Sequence, residues 1–131
     1  GQSTPTAVRK LTRDRALAIA RKNRIAASTN PGLNTHYPKG TGCCNDAEVF
    51  DQAGIPVLSV EATNWSLGKQ DGYQQRAKSA RFPAGTTWHN AQLDNQQYID
   101  NALPGRIEKR SRDVMKIMLP LVKELAKAGK T

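Results

Sequence analysis

The sequence is poor in the residues that build metal sites and crosslink small folds. It contains two histidines and two cysteines, and the cysteines are adjacent, Cys43 and Cys44. Such a pair forms either two free thiols or a strained local disulfide. A disulfide here would close too short a loop to stabilise the fold through the entropy of the unfolded chain. With no Cys-x-x-Cys motif and no Cys/His group at finger spacing, we predict no structural zinc site.

Long apolar runs and self-contained catalytic motifs are also missing. Hydrophobic residues make up 37% of the chain, and no apolar run reaches the roughly 20 residues that cross a bilayer. The sequence has no His-Glu-x-x-His, no Gly-x-Ser-x-Gly and no phosphate-binding Gly-Lys-Ser/Thr motif. We therefore predict no membrane-spanning helix, and short motifs give no enzyme class. The length of 131 residues suits one domain with its own core.

Positive charge is in excess and is concentrated at the two ends of the chain. Lys and Arg number 20 against 11 Asp and Glu, a net charge of +9. Residues 1–24 carry +6 and residues 104–131 carry +5, whereas the residues between them carry −2. Both ends have helical patterns, so we interpret these cations as solvated helix surface. We do not interpret the aromatic residues between 60 and 99 as a stacking groove for bases, and we expect no nucleic-acid partner.

Two helices are predicted in the first half of the chain. Residues 5–23 form the first, with Pro5 at its opening position and an apolar stripe that Arg15 interrupts. The second is short, running from a capping box with Asn45 as its cap to Gly54 as its C-terminal cap.

Two more helices are predicted near the C-terminus. A capping box of Asp94 and Gln97 opens a short helix that ends near Leu103. The last helix begins at Pro104, and its apolar stripe keeps its phase past Pro120. We therefore expect a kink at Pro120 rather than a stop.

Between the helices we predict strands and two long polar loops. Residues 55–62 are almost continuously apolar, which is typical of a strand buried on both faces of an α/β sheet, with Pro56 at its beginning. Residues 25–28 are a candidate short strand. The segments 29–44 and 64–93 are long loops, which are uncommon in a small domain unless they have a function. The predicted fold class is α/β.

Three side chains are candidates for chemistry at one edge of this sheet. Glu61 lies at the C-terminal end of the predicted strand, where α/β sheets bind ligands, although an internal salt bridge is an equal alternative. Asp46 is either a site residue or a first-turn acid favoured by the helix dipole. His89, like His36, is either a ligand or a surface hydrogen-bonding group.

Two segments of the chain resemble the di-zinc aminopeptidase family. Residues 44–57 are similar to its Ser-Asp-x-x-x-Phe-x-x-x-Gly-Ile-Pro segment, and Trp88-His89 followed by Asp94 resembles its closing Tyr-His-x-x-x-Asp segment. The likeness to one member extends along essentially the whole chain, notably in residues 39–46, 60–65, 71–76 and 103–107.

The resemblance implies the C-terminal part of a mixed-sheet zinc aminopeptidase fold with flanking helices. Residues 1–131 would be one portion of a peptidase domain whose upstream half is absent. The intact enzyme would hold two zinc ions, reside in the bacterial periplasm or be secreted, and remove N-terminal residues from proteins. The member whose likeness extends along the whole chain removes N-terminal arginine.

Only one of the family's five zinc ligands maps onto this sequence, at His89. The chain has no His-x-Asp and no Glu-Glu pair, so the resemblance puts the other four ligands and the general base upstream of Gly1. A catalytic zinc ion needs about three protein ligands. We therefore expect this chain alone to hold no zinc and to be inactive.

The resemblance also implies roles for four other residues. Asp46 would lie beside the catalytic centre and orient its neighbours. Trp88 replaces the tyrosine that commonly precedes the last ligand. Because a carboxylate pairs best with a planar guanidinium, we expect Glu61 or Asp71 to contact an N-terminal arginine of the substrate, with Trp88 lining the same site.

The expected partners follow from the same interpretation. They are a peptide or protein N-terminus as substrate, and the N-terminal half of the same protein or a second copy, which would cover the exposed edge of a half sheet. Neither nucleic acid nor membrane is expected. The alternative is a non-enzymatic module whose basic helices bind an anionic partner, which predicts an affinity that falls steeply with salt and needs no metal.

Overall fold

The computed structural model describes residues 6–29, 31, 33, 35, 46–62, 80 and 90–128. Four helices lie within these residues: α1 (Thr6–Lys22), α2 (Glu48–Gln52), α3 (Gln96–Ala102) and α4 (Arg106–Ala128). Among them, α1 packs against α4, and α3 packs against α4 as well.

Helix α1 confirms the predicted first helix and ends in a Schellman motif. The N–H of Ile25 donates to the carbonyl of Ala20 at 2.9 Å, and the N–H of Arg24 donates to that of Arg21 at 3.0 Å. Arg24 takes a left-handed conformation, with φ of 55°. This reversal turns Ile25 onto the core, so residues 25–28 are a helix end and a coil rather than the expected strand.

The core of the described residues is the seam between α1 and α4. Its buried members are Ala16, Ile19, Ala20, Ile117 and Leu121, with Ile25, Leu58 and Met118 packed against them. Alanines on α1 let the two backbones approach closely, so the larger side chains of α4 fill the seam. Arg15 of α1 pairs with Glu124 near the end of α4, whereas Asn23, just after α1, lies beside Met115 and Leu119. The two helices are therefore antiparallel.

Helix α4 is the longest of the described helices. It begins at Arg106, two residues after the predicted start at Pro104, because Gly105 takes φ of 71° and forms the turn before it. It continues through Pro120 to Ala128, as predicted. In the part of the chain that the structure describes, no helix has both the length and the apolar character needed to cross a membrane.

The two short helices differ from the prediction at their N-terminal caps. Helix α2 ends as predicted at Gly54, with φ of 80°, and the N–H of Ile55 donates to the carbonyl of Phe50 at 2.9 Å. The residue before α2 is Ala47, not the predicted Asn45, and Asn45 lies outside the described residues. At α3 the cap is Asn95, whose side chain accepts from the N–H of Tyr98 at 2.8 Å.

The predicted α/β mixed-sheet fold is wrong for the described part of the chain. Residues 55–62 have no strand pairing within 6–29, 46–62 or 90–128, and form a coil in which Ile55 is 50% exposed. Leu58 from this coil packs on the helical core. An apolar run needs a neighbouring strand to become part of a sheet, and here it packs against helices instead.

Candidate functional site

Asp46 lies in the turn that leads into α2, and its side chain is exposed. The helix that follows is five residues long, from Glu48 to Gln52. Asp46 therefore lies two residues before this helix, and not in its first turn as the sequence predicts.

Glu61 is also exposed, in the coil after α2. Because residues 55–62 do not form a sheet strand in the described structure, Glu61 does not lie at the end of a sheet. The sheet-edge argument for this residue is therefore overturned, and its predicted substrate contact depends on the resemblance alone.

The other predicted site residues, Asp71, Trp88 and His89, lie outside the described residues. So do Cys43 and Cys44. Within the described ranges, no group of three or more His, Cys, Asp or Glu side chains is placed to hold a metal ion. The structure does not bring Asp46 and Glu61 into such a group.

The best-defined polar contact is a two-pronged ion pair between α1 and α4. Arg15 Nε donates to Glu124 Oε2 at 2.6 Å, and Nη2 donates to Oε1 at 2.7 Å. These hydrogen bonds, with the attraction between the charges, lower the pKa of Glu124 and raise that of Arg15. Both side chains are about half exposed, so the pair lies at the rim of the seam.

A second charged group lies on α4 alone. Lys109 Nζ donates to Asp113 Oδ2 at 2.8 Å, and Arg110 Nη1 contacts the same oxygen at 3.3 Å. The hydrogen bond from Lys109 is the main cause of a lowered pKa for Asp113. These contacts are local helix pairs at spacings of three and four residues, and they define no binding site.

Helix α4 has a second apolar face outside the core that it shares with α1. Met115, Leu119 and Val122 are 50–55% exposed, and they recur at the helical spacing of four and three residues. An open groove of about 490 Å³ lies along this face. Its lining is formed by Asn23, Arg112, Met115, Lys116, Leu119 and Pro120, with Ser111.

Sequence reasoning missed both the ion pair and this second apolar face. Arg15 was interpreted only as an interruption of the apolar stripe of α1, and nothing in the sequence assigns it a partner 109 residues away. The second face had a signal: the spacing of Met115, Leu119 and Val122 is itself helical. The sequence analysis did not separate this stripe from the core stripe of α4, because the two lie side by side on the helix.

The fold and site together define a helical pair with one covered and one open apolar face. No protein-family model matches the chain. No solved structure matches it either.

One known protein is highly similar to the chain. Over 129 residues, 98% of this chain, it is 77% identical to the alkaline phosphatase isozyme conversion protein of Escherichia coli (strain K12). The chain spans 37% of the length of that relative. The whole-chain likeness to a single protein, predicted from the sequence runs, is thereby confirmed.

Proposed function

We propose that this chain is the C-terminal part of a zinc-dependent aminopeptidase that removes N-terminal residues, with arginine preferred, from other proteins. The single observation that carries the proposal is the 77% identity to an isozyme conversion protein of which the chain spans 37%. The motifs at residues 44–57 and at Trp88-His89 support it. The proposal includes a periplasmic or secreted location.

The described residues alone do not fit a zinc site. They offer no group of three ligating side chains, and a catalytic zinc ion needs about three. As the family resemblance implies, the proposal assigns one ligand, His89, to this chain, and assigns the remaining ligands and the general base to the upstream part of the polypeptide. On this basis the chain alone is inactive and binds no zinc.

Asp46 is proposed to orient groups beside the reaction centre, and its exposure at the start of α2 leaves it free to face the upstream part. Glu61 and Asp71 are the proposed carboxylates for the N-terminal arginine of a substrate, and Trp88 lines the same site. Glu61 is exposed among the described residues and is therefore accessible to a ligand.

A native mass spectrum of the protein as purified from its own source tests the assembly. The proposal predicts either a polypeptide much heavier than 14.3 kDa or this chain bound to an upstream fragment. In both cases about two zinc ions are expected. A zinc-free species of 14.3 kDa that nonetheless removes N-terminal residues would contradict it.

Substitution in the full-length protein tests the substrate contacts. Glu61→Ala or Asp71→Ala is expected to raise the KM for substrates with N-terminal arginine more than for those with N-terminal leucine, because only arginine needs a carboxylate partner. Glu108→Ala, an exposed carboxylate on α4, is the matched control. An unchanged ratio of the two KM values in both variants would remove both residues from the substrate site.

The alternative function, a basic module that binds an anionic partner, makes a different prediction. Its affinity for a polyanion would fall by orders of magnitude as salt rises, and metal chelators would not change it. Aminopeptidase activity that is lost with a chelator and restored by zinc would support the peptidase function over the basic binding module.

A further inference from the structure

Helix α4 carries two apolar faces, and α1 covers only one of them. Ile117 and Leu121 are buried against α1, whereas Met115, Leu119 and Val122 remain about half exposed. We call this second set the open face of α4. A contiguous exposed apolar stripe on a helix that is already packed indicates a surface that another body covers.

Exposed apolar side chains are not confined to α4. Around α2, Val49 is 63% exposed, Phe50 51% and Ile55 50%. Leu58, three residues later, packs on the same core as α4, so both exposed sets belong to one packed unit. Exposed apolar side chains on two separate elements indicate a covering partner that is large enough to contact both.

The similar protein supplies the candidate for that partner. This chain matches 37% of its length, so more than half of that polypeptide lies outside the match. We infer that the open face of α4 is the surface on which the chain packs against the upstream part of its own polypeptide. This rests on the proposal that the chain is part of a longer protein, but not on the proposed peptidase activity.

Charge along the open face indicates the chemistry of the covering surface. Arg112, Lys116 and Lys123 recur at helical spacing on one side of the stripe, and Arg112 and Lys116 also line the groove. Lys116 and Lys123 make no ion pair among the described residues. The upstream part is therefore expected to present an apolar surface edged by carboxylates to this row.

The two methionines of the chain give a direct test, because both lie on α4. Met115 belongs to the open face, whereas Met118 packs on the core. The full-length protein is treated with hydrogen peroxide, and sulfoxide at each methionine is followed by peptide mass spectrometry, in native buffer and in denaturant. If nothing covers the open face, Met115 stays 50% exposed. Its oxidation in the native protein would then be only about twofold slower than in denaturant.

A covered open face predicts instead that Met115 is oxidised at least about tenfold more slowly in the native protein than in denaturant, as slowly as Met118. Leu119→Lys in the full-length protein is expected to restore fast oxidation of Met115 while leaving Met118 protected. Leu33→Lys places the same charge at another exposed leucine and is expected to change neither rate.

Three results would overturn the inference. Met115 could oxidise in the native full-length protein at the rate expected of a half-exposed side chain. Its protection could depend on protein concentration together with a doubled mass, which would mean that a second copy covers the face. Its protection could also arise only with anionic lipid vesicles, which would mean a membrane surface. An inactive full-length protein with Met115 protected would contradict the proposed activity alone.

Discussion

Arg15 and Glu124 join the two ends of the described fold across 109 residues of sequence. Both nitrogens of one edge of the guanidinium reach both oxygens of the carboxylate, at 2.6 and 2.7 Å. Only one antiparallel register of α1 on α4 permits this geometry, because each helical residue shifts a side chain by about 1.5 Å along the axis and 100° around it. The pair therefore reports the register of the seam.

Replacing either partner is expected to lower stability slightly, and replacing both is expected to cost less than the two single changes together. The pair is half exposed, so its contribution is small and screened by salt. A double-mutant cycle of Arg15→Gln and Glu124→Gln, followed by urea unfolding at low salt and at 1 M NaCl, measures it. Coupling that does not shrink at high salt would contradict this account.

Acid is expected to weaken the fold through Glu124 and Asp113. Hydrogen bonds from Arg15 and Lys109 lower the pKa of these two carboxyls. Their contribution is therefore fully present above the ordinary carboxyl pKa of about 4 and is lost as the pH falls through the lowered values. Urea midpoints measured from pH 7 down to 2.5 should fall less in Glu124→Gln than in the parent. Equal slopes would remove Glu124 from this linkage.

Arg24→Gly is expected to stabilise the protein by about 1 kcal/mol, because a side chain at positive φ strains the backbone and glycine does not. Arg24 has φ of 55° at the end of α1. Arg21→Gly, three residues earlier and still helical, is the matched control and should destabilise by about 1 kcal/mol. Thermal unfolding of the two variants should shift in opposite directions, and a loss in both would contradict the left-handed conformation of Arg24.

The N-cap of α3 is Asn95 in the structure, whereas the sequence predicts Asp94. The side chain of Asn95 accepts a hydrogen bond from the N–H of Tyr98, so Asn95→Ala should cost about 1 kcal/mol. Asp94→Ala should change stability by less than about 0.5 kcal/mol, as at an ordinary surface position. If Asp94→Ala were the more costly change in urea unfolding, α3 would begin one residue earlier.

Leu121→Ala should destabilise the protein by roughly 2–5 kcal/mol, because it opens a cavity in the seam. Leu121 is 2% exposed and contacts the alanine-lined side of α1. Lys123→Ala, on the same helix and exposed, is the control and should lie within about 0.5 kcal/mol of the parent. Similar unfolding midpoints for the two variants would show that the seam is not the core.

Several features were predictable because local sequence determines them. The position of α1, Thr6–Lys22, follows from Pro5 near its start and from its apolar stripe. Helix α2 ends before Gly54 because a positive φ there suits glycine. The passage of α4 through Pro120 was predictable because the apolar stripe keeps its phase.

Non-local features required the tertiary structure. Residues 55–62 have the composition of a buried strand, but pairing needs a neighbour, and Leu58 instead packs on the helices. With the sheet absent from the described part of the chain, the argument that placed Glu61 at a sheet edge is lost. The cap of α3 moved from Asp94 to Asn95 because both residue types suit that position.

The sequence by itself determined where the helices lie, how the charge is distributed and which known protein the chain resembles, because these depend on local spacing and residue identity. Only the tertiary structure decided that Arg15 meets Glu124, that alanines of α1 lie against Ile117 and Leu121, and that one apolar face of α4 stays open. These depend on the rotation and register of one helix against another, and packing across the seam fixes both.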